Sequence, residues 1–337
     1  MRHLKLLYFL LGAGLLVFVI FQTDLRQVAQ MALSVGWRGF ALLLLIYLFG
    51  FAIDVVTFQM ALLDIPLDAR WFWRTFKIRL VGEFFNTVIP AGGMGGEPVK
   101  ALMLKNRYGI GLKAGAASLL LGKTVNMIAL VIFLAGGFAF MLQSEKMPAL
   151  YKSTGGIGLL VFALCILAFF LIQRTRLTSR LWSGLASLPF GSRLLHRLQQ
   201  VREFDDKLVH FYTRHKIRVL VAVSLAILNW LVGVAEVWTA SWLLGHPVSL
   251  IDAWIIEAAI QLARAAAFLM PASLGVQEGT FLLFYAAIAG SGELGMAVAL
   301  LRRARELIWL GWGGLAGLLY LKGGKDTPSP SASPQTE

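Results

Sequence analysis

Six apolar runs, near residues 6–22, 37–63, 114–142, 155–173, 219–244 and 296–321, are each about as long as a bilayer crossing requires. A helix spans the hydrocarbon core in roughly 20 residues. No other feature constrains the chain so strongly. Backbone crossing hydrocarbon must satisfy its own N–H and C=O groups, so repeated spans of this length fold as helices. With 58% hydrophobic and only 15% charged residues, the chain falls well below the roughly 25% charge of soluble domains. The expected fold class is an all-α polytopic membrane protein.

Two further apolar regions, 80–104 and 253–290, are interrupted. The first contains PAGGMGGE, Pro90 to Glu97, and the second PASLGVQE, Pro271 to Glu278. Both begin Pro-Ala, continue with small or flexible residues and place a Glu seven positions after the Pro. Pro and Gly break a helix, and non-helical backbone at membrane depth is tolerated only where protein buries it or it lines a cavity. A soluble phosphate loop is excluded. It requires G-x-x-x-x-G-K-[ST] after a strand, whereas Gly95-Gly96-Glu97-Pro98-Val99-Lys100 is followed by neither Ser nor Thr.

The placement of Lys and Arg gives direction, because cytoplasmic loops carry the excess. Arg2 and Lys5 put the N-terminus in the cytoplasm, and the second span returns the chain to Arg70, Arg74, Lys77 and Arg79. Beyond the first break stand Lys100, Lys105, Arg107 and Lys113. Basic flanks on both sides predict a re-entrant hairpin that enters from the cytoplasm and turns back at Pro90–Gly96. The loop 174–218, with ten Lys and Arg, and the tail with Lys322 and Lys325 are then also cytoplasmic. The second hairpin enters from outside. The expected architecture is six full transmembrane helices plus two opposed re-entrant helical hairpins. Residues 1–321 form one integral domain, with inverted repeats over about 1–142 and 155–321. Such repeats, with discontinuous helices near the midplane, mark many secondary transporters.

The first run follows basic residues as a signal peptide does, but FQTDLRQ replaces a small-x-small cleavage site, so it reads as a retained span. In 174–218, Leu194, Leu198, Val201, Leu208 and Phe211 recur at helical spacing among basic residues. That pattern fits an amphipathic helix on the inner leaflet or beneath the bundle, and equally a solvated connector. Residues 322–337 are Pro/Ser-rich and read as a disordered tail.

Charge inside a bilayer costs about 2.5–3.5 kcal/mol per residue and usually faces a cavity or a partner. Asp54, Glu83, Glu97, Lys123, Glu236, Glu257, Arg264, Glu278, Arg302, Arg303, Arg305 and Glu306 all lie in or near the apolar regions. Glu83 and Arg264 each precede their Pro by seven positions, while Lys123 and Arg302–Arg305 follow theirs by 31–34. Structural readings compete with functional ones. Arg302 and Glu306, four apart, are placed to pair along one helix, and Asp54 and Glu236 are compatible with span ends. Glu97 and Glu278 stand at the breaks, where a half-helix N-terminus favours a carboxylate.

The net charge of +13 does not indicate nucleic acid, because the basic residues cluster between spans. Cys165 is the single cysteine and lies in an apolar run, excluding a disulfide framework and a Cys-based metal site. His3, His196, His210, His215 and His246 fall in terminal or loop segments, so no haem or zinc site within the membrane is expected, and no cofactor.

NTVIPAGGMGGEPVKALMLK together with AFLMPASLGVQEGTFLLFY resembles the lysylphosphatidylglycerol synthase transmembrane, flippase-like (YbhN-type) family. The pattern is carried by Asn86, Pro90, Gly95, Gly96, Pro98, Lys100 and Ala101, then by Pro271, Gly275, Val276 and Glu278. The Gly-Val-Gln-Glu-Gly form, with Gln261 and Arg264 upstream, is most similar to the hopanoid-associated HpnL branch. The second motif departs from the common Pro-Gly-Gly, reading Pro271-Ala272-Ser273-Leu274. The resemblance implies a bacterial inner-membrane protein that handles or translocates lipids. Synthase members carry a soluble aminoacyl-transferase domain after the membrane part. A short tail stands there in this chain, and no nucleophile–base pair is recognisable, so no enzymatic activity is expected.

The expected function is movement of an amphiphilic lipid, hopanoid-related or lipid-linked, between leaflets. The alternative is a non-transporting scaffold for lipid-biosynthesis enzymes. The candidate substrate-binding or gating residues are Asn86, Pro90, Gly95, Gly96, Glu97, Lys100, Lys123, Gln261, Arg264, Pro271, Gly275, Glu278, Arg302, Arg305 and Glu306. In this reading Lys123, Arg264 and Arg302–Arg305 hold an anionic headgroup, for which guanidinium is suited by bidentate donation. Glu97 and Glu278 gate or carry protons.

Overall fold

A computed structural model describes residues 24–63, 65–89, 94–174, 215–268 and 270–322. The expected first span at 6–22, the residues Pro90–Gly93, residues 175–214 of the expected amphipathic loop 174–218 and the tail beyond Lys322 lie outside the described residues.

Among the described residues the secondary structure is helical throughout. α1 (Leu25–Ser34) is a short amphipathic helix that the apolar runs do not reveal. Asp24 caps it, its carboxylate accepting from the amides of Arg26 and Gln27. The chain then turns at Gly36, whose φ of +65° favours glycine. α2 (Gly36–Ala61), α5 (Leu112–Gln143), α6 (Ala149–Arg174) and α7 (Lys216–Leu243) follow the expected spans. These four are long and apolar enough to cross a membrane. The last helix, α10 (Gly292–Lys322), is also long, but it carries Arg302, Arg303, Arg305 and Glu306 at its centre.

Both interrupted regions are helix–break–helix. α3 (Ala69–Val88) ends at Ile89, whose extended backbone is what a following proline demands. α4 (Glu97–Tyr108) starts from Gly96 with Pro98 in its first turn and ends at left-handed Gly109. In the second region α8 (Leu250–Ala266) is followed by a short 3₁₀ turn, Pro271–Ser273, and then by α9 (Val276–Ala289). Ala272 and Ser273 have φ of 51° and 50°, which non-glycine residues seldom adopt.

Each pair of arms folds back on itself. In the first, the rings of Trp71 and Tyr108 are 5.3 Å apart at the open end. Near the break, Gly82 packs on the side chain of Lys100, and the Gly96 amide donates to Asn86 Oδ1 at 2.7 Å. Gly96 is obligatory there, since a Cβ would stand 2.0 Å from the Gly82 carbonyl oxygen. In the second, Ile255 of α8 packs with Phe284 and Ile288 of α9.

The long helices hold the two hairpins together. α2 and α7 run antiparallel in contact: Gly39 meets Leu243, Gly50 meets Asn229 and Val232, and Arg218 donates to the carbonyls of Gln59, Met60 and Leu62. α5 presents Gly136 and Gly137 to Trp254 and Ala258 of α8, while α10 presents Gly313 and Gly314 to Leu80 and Phe84 of α3. Glycine at such crossings lets backbones approach closely. Thus the long helix after each hairpin packs on the first arm of the other. α10 also runs back along α9, Gly295 lying against Phe281 and Tyr285. The first half of α10 therefore follows one hairpin and its second half the other. The 3₁₀ turn of the second break touches α3, so that break lies against the first hairpin.

Candidate functional site

Near the first break, charges from four helices converge. Glu97, the first residue of α4, accepts from Lys100 Nζ through Oε1 at 2.7 Å. The same oxygen is 3.4 Å from Lys123 Nζ on α5. Arg79 on α3 is ion-paired with Asp54 on α2. Arg79 and Lys100 both lie over the ring of Phe58, at 5.9 and 6.0 Å from its centroid, so two cations share one aromatic platform. Lys100 is only 1% exposed. Its aliphatic stem lies along Gly82, where any side chain on residue 82 would displace it.

Near the second break, the partners are arginines of α10. Glu278, in the first turn of α9, accepts from the Gly275 amide at 2.9 Å and from Arg303 Nε at 2.5 Å. Arg303 also donates to Glu306 at 2.7 Å. Arg302 binds Glu257 of α8 through two contacts of 2.8 Å, and Gln261 donates to the same carboxylate at 2.6 Å. Arg305 donates to Glu236 of α7 at 3.1 Å and stacks 3.8 Å over Tyr47 of α2. Tyr47 in turn meets Trp309 edge to face at 5.0 Å. Such networks remain in a low-dielectric interior because every charge has a hydrogen-bonded partner.

The two breaks share one arrangement. In each, the Glu seven residues after the Pro opens a helix and contacts a cation on the next long helix: Lys123 for Glu97, Arg303 for Glu278. Glycines in both breaks are tied to packing or conformation. A Cβ on Gly95 would meet Ile89 at 2.5 Å, and Gly275 has φ +76°.

Several sequence-derived residues are placed differently from expectation. Arg302 does not pair with Glu306 four residues on; it reaches across to Glu257, and Glu306 is held by Arg303 and Arg305. Asp54 and Glu236 are packed between helices, each facing an arginine. Arg264 is half-buried within the electrostatic reach of Glu306. Pro271 opens the 3₁₀ turn; Pro90 lies outside the described residues. Tyr47, Phe58, Arg79 and Trp309 are not marked as site residues by the sequence, and Gln277 appears only within the Gly-Val-Gln-Glu-Gly form. Arg79 was legible only as a loop cation, and the aromatic residues carry no local signal in a chain this apolar. Gln277 is fully buried, with neither side-chain polar atom hydrogen-bonded. Arg79 Nε, Glu97 Oε2, Arg302 Nε, Arg305 Nε and Trp309 Nε1 are likewise buried and unpartnered, which is unusual for native interiors. Among the described residues no group of His, Cys, Asp and Glu converges as a metal site.

The family described as the lysylphosphatidylglycerol synthase TM region matches residues 5–313. The chain belongs to this family. As a member of the lysylphosphatidylglycerol synthase TM family it is a multi-pass membrane protein linked to lipid metabolism or transport. The family match runs through both breaks and the arginines of α10. No curated protein and no solved structure matches the chain.

Proposed function

We propose that the protein translocates an amphiphilic lipid between leaflets of the bacterial inner membrane. In this reading it has six full spans, cytoplasmic termini and two re-entrant hairpins entering from opposite faces. The observation that carries it is the paired arrangement at the breaks. Each break places a Glu at a helix start against a cation on the following long helix, and the second break touches the first hairpin. Charge placed in a membrane interior without a transport or binding task is disfavoured. Two opposed hairpins meeting along α10 supply the geometry in which access alternates from one face to the other. The ion pairs of the second break are closed, as in an occluded state, and opening exposes them in turn. The substrate class is an anionic or hopanoid-type amphiphile, and no catalytic step is assigned to the chain.

A second reading is favoured by the completeness of those same pairs. Arg302, Arg303 and Arg305 each have a carboxylate within 3.1 Å, as a static scaffold for lipid-biosynthesis enzymes would also require. Reconstitution separates the two. Liposomes containing the protein, with labelled phospholipid or hopanoid, are compared with empty vesicles and with Glu97→Gln and Glu278→Gln. Translocation is expected to exceed the empty-vesicle rate and to fall at least about tenfold in each variant, a change of about 1.4 kcal/mol in barrier. A wild-type rate equal to that of empty vesicles rejects translocation.

A further inference from the structure

Glu83 and Arg264 occupy equivalent places, each seven residues before the proline of its break. Among the described residues, the other charges at the breaks are paired: Asp54 with Arg79, Glu97 with Lys100 and Lys123, and the arginines of α10 with Glu236, Glu257, Glu278 and Glu306. Glu83 and Arg264 make no ion pair and no hydrogen bond among those residues, and both are half-buried. A charge left unpaired in a membrane interior faces a cavity or a ligand. The two stand on opposite sides of one joint. Glu83 is on α3, which the 3₁₀ turn of the second break touches, and its charge reaches Tyr47. Arg264, near the end of α8, reaches Glu306. Tyr47 and Glu306 both lie against Arg305, whose guanidinium is 3.8 Å over the Tyr47 ring and 3.7 Å from Glu306 Oε1.

Resting on the translocation reading, we propose that Glu83 and Arg264 are the two poles of a headgroup site between the hairpins, and that its ligand is a phosphodiester carrying a primary ammonium group, of the phosphoethanolamine type. Arg264 takes the phosphate, for which the planar guanidinium is suited by bidentate donation. Glu83 takes the ammonium, which donates to its carboxylate. An anion alone would satisfy Arg264 and leave Glu83 unmatched, and a cation alone would do the reverse. Only a group with both signs neutralises both. Binding strands nothing, because neither residue gives up a partner, and Glu306 keeps Arg303 and Arg305. The exposed apolar side chains of Val88, Ile89 and Phe268, where α3 and α8 lead into the breaks, offer acyl chains a surface. The same headgroup chemistry exists on a membrane lipid and on free glycerophosphoethanolamine.

The test is direct binding to the full-length protein in a maltoside detergent, so it does not depend on transport. Three probes are titrated separately. Dihexanoyl phosphatidylethanolamine carries both charges, dihexanoyl phosphatidylglycerol has the phosphate without the ammonium, and glycerophosphoethanolamine has no acyl chains. Wild type, Arg264→Gln and Glu83→Gln are compared, and thermal unfolding without ligand monitors each fold. Neither substitution is expected to lower stability, since neither leaves a partner behind. A marked fall in either variant would reveal a structural contact and overturn the proposal. Wild type should bind the ethanolamine lipid about tenfold more tightly than the glycerol lipid. Arg264→Gln should weaken both lipids about tenfold, whereas Glu83→Gln should weaken only the ethanolamine lipid and so erase the preference. Binding of glycerophosphoethanolamine with the same signs assigns the site to the headgroup by itself, and binding of the lipid alone assigns it to a membrane lipid. Equal affinity of wild type for the two lipids, ethanolamine-lipid binding unmoved by either substitution, or no binding of any probe overturns the proposal. Transport without this binding leaves translocation standing and removes only the site. Binding with the expected signs but no transport does the reverse.

Discussion

Arg302 grips Glu257 through two parallel contacts of 2.8 Å, and neither residue is more than 6% exposed. The pair joins the middle of α10 to α8, and Gln261 adds a third hydrogen bond to the carboxylate. Its worth is specific to having both partners. Removing one member of a buried pair costs about 3–5 kcal/mol, whereas replacing both by apolar residues is often neutral or stabilising.

Glu257→Ala should therefore destabilise the protein by about 3–5 kcal/mol, while Glu257→Ala with Arg302→Met should recover most of that loss. Reversible unfolding in detergent measures both. Equal destabilisation by the single and double variants would show that the pair is not the source of the cost.

At Gly96 the prediction is steric. An added Cβ would lie 2.0 Å from the Gly82 carbonyl oxygen, which is backbone and cannot swing aside. Gly96→Ala is expected to disrupt the first hairpin and lower thermal stability. Gly122→Ala is the control, because its Cβ meets Ala61 and Phe58 at ordinary distances of 3.7 and 3.8 Å. That change should be neutral, or stabilising by up to about 1 kcal/mol through helix propensity.

The antiparallel contact of α2 and α7 can be trapped covalently. A Cβ built on residue 50 lies 3.6 Å from Val232 Cβ, within the roughly 3.5–4.5 Å spacing of disulfides. Gly50→Cys with Val232→Cys, in a Cys165→Ala background, should cross-link under mild oxidation. Gel mobility under non-reducing conditions reads the result. Failure of this pair while a distant control pair also stays open would point to a different packing of the two helices.

Orientation is tested by impermeant thiol labelling. With Cys165 removed, Gly92→Cys should react from the cytoplasmic face and Ser273→Cys from the opposite one. Reaction of both from the same face would remove the opposed-hairpin topology.

The sequence determined a good part of this. Run length and apolar content dictated α2, α5, α6 and α7, because hydrocarbon admits no unsatisfied backbone. Pro90, Pro271 and the glycines beside them announced both breaks, because their backbone preferences are local. The Glu after each Pro stood out because charge is scarce in such a chain. Tertiary structure alone decided the partners. Arg302 and Glu306 have the spacing of a helical pair, yet Arg302 turns to Glu257 on another helix, since a buried guanidinium takes whichever carboxylate the packing brings into bidentate reach. Lys100 reads from sequence as a flank lysine and a motif candidate for the site, but its burial depends on Gly82, which opens the groove that takes its stem. Tyr47 and Trp309 carry no pattern of their own and gain their places beside Arg305 only when α2 and α10 meet. Periodicity and backbone preference act between neighbours in the chain. The pairing of charges depends on distances between helices, which no run of neighbouring residues encodes.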